Sequence, residues 1–346
     1  MHCANTNSEQ KKPLVSVLMS VYSEVPDILK ESIDSILSQS YSNFEFLIYL
    51  DKPDNEDLWQ FLCHYAENDS RVIIRKNQKN RLLAGTLNDE LHVARGEYMV
   101  RMDGDDISVK DRIECLVNFM ECHPEVGVAS SWMKAFGHKK WYQNRIVKYT
   151  SDFNEMKCMM LYQTPIAHAP CIIRRTVVDK YGPALYNERC CKTQDYELWS
   201  RLIDNGVIIG MVPKPLYLRR VSHGDGPEPI NYRVIHNQVS RHNMKNVLSK
   251  VNIALPDVVG VDLASLIRKA IKESSGLLKK KLKIIQCVLY SNVFNNPIER
   301  LFVMLVNGDI SCLFALPIRM RMHLFRSGKL TEMNNLVTSP NQLIYA

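Results

Sequence analysis

The chain lacks the short patterns that mark several common function classes. It contains no GxGxxG and no GxxxxGK[ST], so neither a dinucleotide-binding domain nor a P-loop NTPase is supported. Ten cysteines occur in 346 residues without a CxxC pair or a short secreted framework, which reads as reduced thiols in a cytosolic protein. No uncharged apolar run of about 18 residues appears, and the opening MHCANTNSEQKK has no signal-peptide apolar region, so neither a membrane span nor a leader is expected. The lysines are not interleaved with stacking aromatics, which argues against a nucleic-acid binder. Internal repeats and low-complexity tracts are also missing.

What is present is ordinary globular material with a basic bias. A composition of 46% hydrophobic and 23% charged residues suits one large domain, or a domain with an appendage, around a real core. The net charge of +7 suits an acidic partner, whether nucleotide, anionic membrane surface or nucleic acid, and charge alone does not choose. From Pro13 to Ser131 short apolar runs (LVSVLMSVY, FEFLIYLD, RVIIRK, GEYMVRMD, VGVASS) alternate with helical periodicity. This pattern predicts an α/β fold with a mixed, mostly parallel sheet flanked by helices. Ligands gather at the carboxyl ends of such strands, where Ser23, Glu24, Asp51 and an acidic cluster at Asp103 all fall. Trp132 to Thr164 is irregular, after which IAHAPCIIRR, QDYELWSRLIDNG and VIIGMVPKPLYLRR predict a strand, a helix and a strand. The breaker cluster HGDGPEP predicts a boundary near Gly226. Residues 1–12 are expected to be disordered, 13–226 to form the main domain (halves 13–106 and 107–226), and 227–346 a helical, basic region. In that region Lys269, Lys272, Lys279, Lys280, Lys281 and Lys283 flank apolar positions, and LFVMLV, CLFALPI and RMRMHLFR follow. Such helices either lie on an anionic bilayer surface or pack on the core with a solvated lysine face.

The most informative segment is GEYMVRMDGDD, Gly96 to Asp106, which runs a strand into Asp103, Asp105 and Asp106. In an extended chain residues i and i+2 share a side, so Asp103 and Asp105 can converge while Gly104 leaves room for a phosphate. Hard oxygen ligands favour Mg²⁺ or Mn²⁺, with substrate phosphates completing the shell. The alternative is an acidic turn that caps the next helix.

Taken together these motifs resemble glycosyltransferase family 2, the inverting nucleotide-sugar enzymes of GT-A fold, including bacterial surface-polysaccharide transferases. VSVLMSVYSE resembles the first strand and its nucleotide-contacting turn, with Ser20 where the family usually has Pro and Ser23 where it has Asn. FEFLIYLD resembles the second strand, with Asp51 kept but followed by Lys52 and Pro53 in place of the usual Asp-Gly-Ser surroundings. ARGEYMVRMDGDDIS resembles the metal-binding segment, QDYELWSRL the motif that carries the catalytic base, and LRRVSH the segment closing over the diphosphate. The match spans roughly Pro13 to His223.

The resemblance implies Asp195 as base and Asp103, Asp105 and Asp106 around a divalent cation, with His223 a further ligand. It implies Asp51 at the nucleobase, where a carboxylate suits the uracil N3–H. Ser23, Glu24, Arg101 and Arg220 are implied as further nucleotide-sugar contacts, and His168 as a residue near the acceptor. A carboxylate so close to a helix start is expected to have a lowered pKa. The function implied is an inverting transfer from a UDP-sugar to a lipid-linked or glycan acceptor in surface-polysaccharide biosynthesis, on the cytoplasmic face of a membrane. The alternatives are a nucleotidyltransferase and a non-catalytic GT-A scaffold, the latter suggested by the altered surroundings of Asp51.

Overall fold

The alternating runs emerge as nine strands in one mixed sheet with helices packed around it. The computed structural model describes residues 12–137, 144–182, 184–190, 192–221, 230–255 and 261–293. In chain order the elements are β1 (Val15–Val21), α1 (Pro26–Leu37), β2 (Phe44–Leu50), α2 (Glu56–Asn68), β3 (Val72–Lys76), α3 (Leu82–Val93), β4 (Tyr98–Asp103) and β5 (Ile107–Ser108). They continue with α4 (Arg112–Cys122), β6 (Val126–Gly137), β7 (Ile146–Val147), α5 (Phe153–Met159), β8 (Ile172–Arg174), α6 (Arg175–Tyr181), α7 (Gln194–Asp204) and β9 (Ile208–Val221). The helices α8 (Ile230–Leu248), α9 (Val261–Glu273) and α10 (Gly276–Val293) complete the described chain.

The strand order is β3-β2-β1-β4-β8-β6-β9-β5, with β7 on β6. The first four strands pair in parallel, while β8 runs antiparallel to both β4 and β6. β2 is buried along its whole length, as a parallel strand covered on both faces must be. Each fully buried aliphatic side chain contributes about 1.5–3 kcal/mol, so the row from Val15 to Leu50 anchors the core. α1 opens on Pro26, whose fixed φ suits a first helical position. Its Ser32 hydroxyl donates to Asp103 O at 2.8 Å, which seats the helix against the end of β4.

The irregular reading of Trp132 to Thr164 needs correction. β6 continues through Trp132 to Gly137, paired along β9, and its register slips between Ser131 and Met133. Such a bulge breaks the two-residue alternation on which strand recognition rests.

By their contacts the described residues fall into two units, one within Met1–Phe153 and Pro165–Pro227, the other within Asn154–Thr164 and Glu228–Ala346. Asn154–Thr164, expected in the acceptor half, therefore groups with the C-terminal helices. In that second unit Ser240 Oγ donates to Leu161 O at 2.6 Å and Asn243 Nδ2 to Met160 O at 2.9 Å. Among the described residues no helix is long and apolar enough to cross a membrane. The expected disorder of 1–12 falls almost entirely outside the described residues, as do LFVMLV, CLFALPI and RMRMHLFR.

Candidate active site

The candidate site forms where β1, β2 and β4 end. In the parallel register Leu18 lies opposite Arg101 and Ser20 opposite Asp103, so Arg101 and Asp103, two apart on β4, point to one face. There they form a forked pair: Nη1 donates to Asp103 Oδ2 at 2.8 Å and Nη2 to Oδ1. Arg101 is nearly buried, whereas about a third of the Asp103 side chain (34%) is exposed. Burial opposes the guanidinium charge, but Asp103 beside it holds the Arg101 pKa above its ordinary value.

Past Asp103 the strand ends and the backbone turns at Gly104 and Asp105, so the expected convergence of Asp103 with Asp105 does not follow from strand alternation. Asp103 is instead turned onto Arg101. The space at Gly104 is also taken: a Cβ there would meet Glu24 Cγ at 3.2 Å and Leu29 Cδ1 at 3.4 Å. Glu24 accepts the Tyr22 N–H at 2.7 Å, and its carboxyl is pushed up by burial and, more weakly, by Asp105. The turn between β1 and α1 thus adds a further acid to the cluster, while Ser23 within it is exposed.

Asp106 is buried and accepts the Arg220 N–H at 2.7 Å. Burial first, then Asp103 and Asp105, push its carboxyl up to about 8. Asp105 is raised for the same reasons, burial and Asp103. Arg220 is anchored to the turn: its Nε donates to Asp105 O at 2.8 Å, and its guanidinium reaches Glu31 and covers the Phe136 ring. No group of three or more His, Cys, Asp or Glu side chains is arranged to hold a metal among the described residues, and His223 lies outside them. Asp103, Asp105 and Asp106 are carboxylate donors, the ligand type that hard divalent cations take, and the first two act electrostatically on the third.

Asp51 is buried, and both of its hydrogen bonds converge on Oδ1, from Asn77 Nδ2 at 2.8 Å and Arg81 N at 2.7 Å. Those bonds fold residues 77–81 around the carboxylate. Nearby, Leu82 takes a left-handed φ of 56°. Lys52, which stands where the family has an acidic residue, lies over the Tyr22 ring at 5.8 Å.

Asp195 occupies the first turn of α7. The lowered pKa expected there is reversed: burial raises it, outweighing the backbone N–H groups and the attraction of Arg101. Arg101 thus acts electrostatically on both Asp103 and Asp195. His168 is buried with Nε2 at 2.9 Å from the Tyr186 hydroxyl, and burial drives its pKa well down, keeping the imidazole neutral.

Three residues near this site escape a reading of the sequence. Glu90 of α3 is fully buried; Ser20 Oγ donates to its Oε1 at 3.2 Å, and burial raises its pKa well above the usual range. Thr86, Asn88 and Glu90 are all buried polar residues in α3, so that helix shows no clean apolar stripe to mark its inner face. Arg112 and Tyr217, under the acidic turn, look from sequence like a helix-start charge and a strand aromatic.

The mixed sheet with its flanking helices is a GT-A fold. Residues 16–182 match the model of glycosyl transferase family 2. An uncharacterised glycosyltransferase of Methanocaldococcus jannaschii is 30% identical over 63% of this chain and 74% of its own length. The amylovoran biosynthesis glycosyltransferase AmsE of Erwinia amylovora is 27% identical over 68% of this chain and 87% of its own. WfaP of Escherichia coli, a UDP-Glc:α-D-GlcNAc-diphosphoundecaprenol β-1,3-glucosyltransferase, is 25% identical over 56% and 72%. Among solved structures, the mannosyltransferase PcManGT of Pyrobaculum calidifontis, in complex with GDP-Man and Mn²⁺, shares the fold at a TM-score of 0.53 and 18% identity, over 94% of this chain and 85% of that one. This chain belongs to glycosyltransferase family 2, with relatives in exopolysaccharide and O-antigen biosynthesis. It is an enzyme of the glycosyltransferase class, and the nucleotidyltransferase and scaffold readings fall with that assignment.

Proposed function

We propose that the protein transfers one sugar, with inversion, from a UDP-sugar to a lipid-linked or glycan acceptor during surface-polysaccharide assembly. The observation that carries this reading is the arrangement around Arg101, which bears on Asp195 and pairs with Asp103 at the head of the acidic turn. Inversion needs a base on the side of the sugar opposite the leaving diphosphate. Asp195, with a pKa raised by burial, accepts the acceptor hydroxyl's proton as that oxygen bonds to the anomeric carbon. Asp103 and Asp105 would hold a Mn²⁺ or Mg²⁺ ion, with Asp106 and His223 as further candidates; when bound, the ion neutralises the charge developing on the leaving diphosphate.

Asp51 Oδ2 would accept the uracil N3–H, and Ser23 and Glu24, in the adjoining turn, would contact the nucleotide sugar. The name of WfaP, with its UDP-Glc donor and diphosphoundecaprenol-linked acceptor, supports both halves of the proposal. GDP-Man in the Pyrobaculum enzyme makes guanosine the competing base. Lysines along α9 and α10 would hold the enzyme at the cytoplasmic face of an anionic membrane, close to a lipid-linked acceptor.

The test is release of nucleoside diphosphate from a panel of UDP- and GDP-sugars with Mn²⁺ and a lipid-diphosphate acceptor. Turnover confined to a UDP-sugar, lost in Asp105→Ala and Asp195→Asn, is the expected result. Turnover confined to GDP-sugars overturns the uridine assignment.

A further inference from the structure

Beneath the acidic turn lies a guanidinium that makes no salt bridge among the described residues. Arg112, the first residue of α4, is wholly buried. Its Nη2 donates to Arg101 O at 2.6 Å and Ala169 O at 3.0 Å, and Nη1 lies 3.4 Å from the Met102 sulfur. The guanidinium covers the Tyr217 ring at 4.8 Å from its centroid. Burial pulls its pKa down to about 10, which leaves it charged at neutral pH. Keeping a cation inside without a carboxylate is costly, so carbonyl dipoles, the ring face and nearby anions must offset it.

Tyr217 carries this contact on to the turn. It is fully buried on β9, and its hydroxyl oxygen accepts the Asp103 N–H at 3.1 Å. The phenol therefore fixes the backbone at the first acid of the cluster. Arg112 holds that phenol from its ring face, and its carbonyl bonds join β4 to the segment leading into β8.

We propose that Tyr217 and Arg112 are positioning residues that preset the acidic turn for a divalent cation: the hydroxyl holds the backbone at Asp103, where the turn begins, and the guanidinium clamps the ring. The proposal rests on the reading of that turn as the cation site. Groups that orient metal-binding carboxylates without touching the ion typically change metal affinity by about 10- to 100-fold when removed.

Tyr217→Phe keeps the ring and deletes only the hydroxyl, and Arg112→Lys keeps a cation without the paired carbonyl bonds. UDP binding by titration calorimetry, with and without Mn²⁺, separates the outcomes. The expected result is unchanged metal-free UDP affinity in Tyr217→Phe, with the Mn²⁺ enhancement reduced about 10-fold or more, and a similar loss in Arg112→Lys. Full wild-type enhancement in both variants overturns the positioning role. If wild-type protein itself binds UDP equally well with and without Mn²⁺, the cation-site reading fails first and takes this inference with it.

Discussion

Asp195 shows how burial and a helix terminus compete at a single carboxyl. The helix start favours the anion by about 0.3–1 kcal/mol, yet desolvation of this half-buried group is the larger effect and raises the pKa. The base must be ionised to accept a proton, so activity is lost as pH falls through the raised value. The acid limb of kcat/KM should accordingly lie above the ordinary aspartate range near 4, and Asp195→Asn should lower kcat by about 10³-fold while UDP affinity stays within about twofold. A pH–rate profile with the acid limb at or below 4 would sink the assignment. Asp51 calls for a different test, because its Oδ1 already accepts hydrogen bonds from Asn77 and Arg81 and the proposed uracil contact is to Oδ2. Asp51→Asn weakens a charge-assisted bond worth about 1.5–3 kcal/mol, so UDP binding should weaken by roughly 10- to 100-fold, measured by calorimetry. GDP binding equal to UDP binding in the wild type, and insensitive to this change, would remove uridine from the argument. At this scale the sequence pointed to carboxylates at the strand ends, where the fold places Asp51 and Asp103, but not to their surroundings. Arg101 turned onto Asp103, and Glu90 buried under α3, depend on neighbours that only the folded sheet supplies.

At the scale of elements, the strand ends carry the site and the connections decide its charge. The parallel start of the sheet was legible because each strand is an apolar run bounded by helical periodicity, from LVSVLMSVY to GEYMVRMD. Of β6 only VGVASS was legible, because a bulge breaks the alternation beyond Ser131, and Asn154–Thr164, expected with the acceptor half, groups with the C-terminal helices through contacts that lie far along the chain. Strand geometry does not reach Asp105, which lies two residues past the end of β4 in a turn, yet Asp103 still acts electrostatically on it. That turn makes its own prediction. A carboxyl held at about 8 in the folded protein, against about 4 when unfolded, keeps a proton that the unfolded chain releases across this window. The folded state binds more protons, so stability falls as pH rises from about 5 to 8 in chelator-treated protein. Melting temperatures should drop over that range, Asp106→Asn should flatten the slope, and Mg²⁺ with UDP should restore stability at the alkaline end. A rise in melting temperature with pH would contradict the charge crowding inferred for the turn. Gly96 tests the sheet beneath it. A Cβ there would stand 2.5 Å from Ser16 N and 2.8 Å from Tyr98 O, both backbone atoms that cannot swing aside. Gly96→Ala should therefore cost about 1–3 kcal/mol by chemical denaturation, since overpacking must part β1 from β4.

For the whole molecule, the question is how a protein without a spanning helix among its described residues would meet the lipid-linked acceptor proposed above. Net charge alone, +7, allowed several partners and selected none. The second unit narrows the choice through where its lysines lie: Lys269 and Lys272 are exposed on α9, and Lys279, Lys280, Lys281 and Lys283 are half-exposed on α10. Each lysine near an anionic surface contributes about 1 kcal/mol, so three or four acting together give a reversible attachment rather than an anchor. Lys280 is partly occupied, 3.7 Å from Glu155, and counts for less. The full chain should sediment with phosphatidylglycerol vesicles and not with phosphatidylcholine vesicles. About 0.5 M salt should release it, because the screening length then falls well below that at physiological ionic strength. Changing Lys269, Lys272, Lys279 and Lys283 together to Gln should lower the vesicle partition coefficient by at least about tenfold while leaving Mn²⁺-dependent UDP binding intact. Salt-resistant binding to both vesicle types would mean that apolar insertion holds the enzyme to the bilayer. No binding to either would leave the lysines as a solvated face and require the acceptor to come to the enzyme in solution.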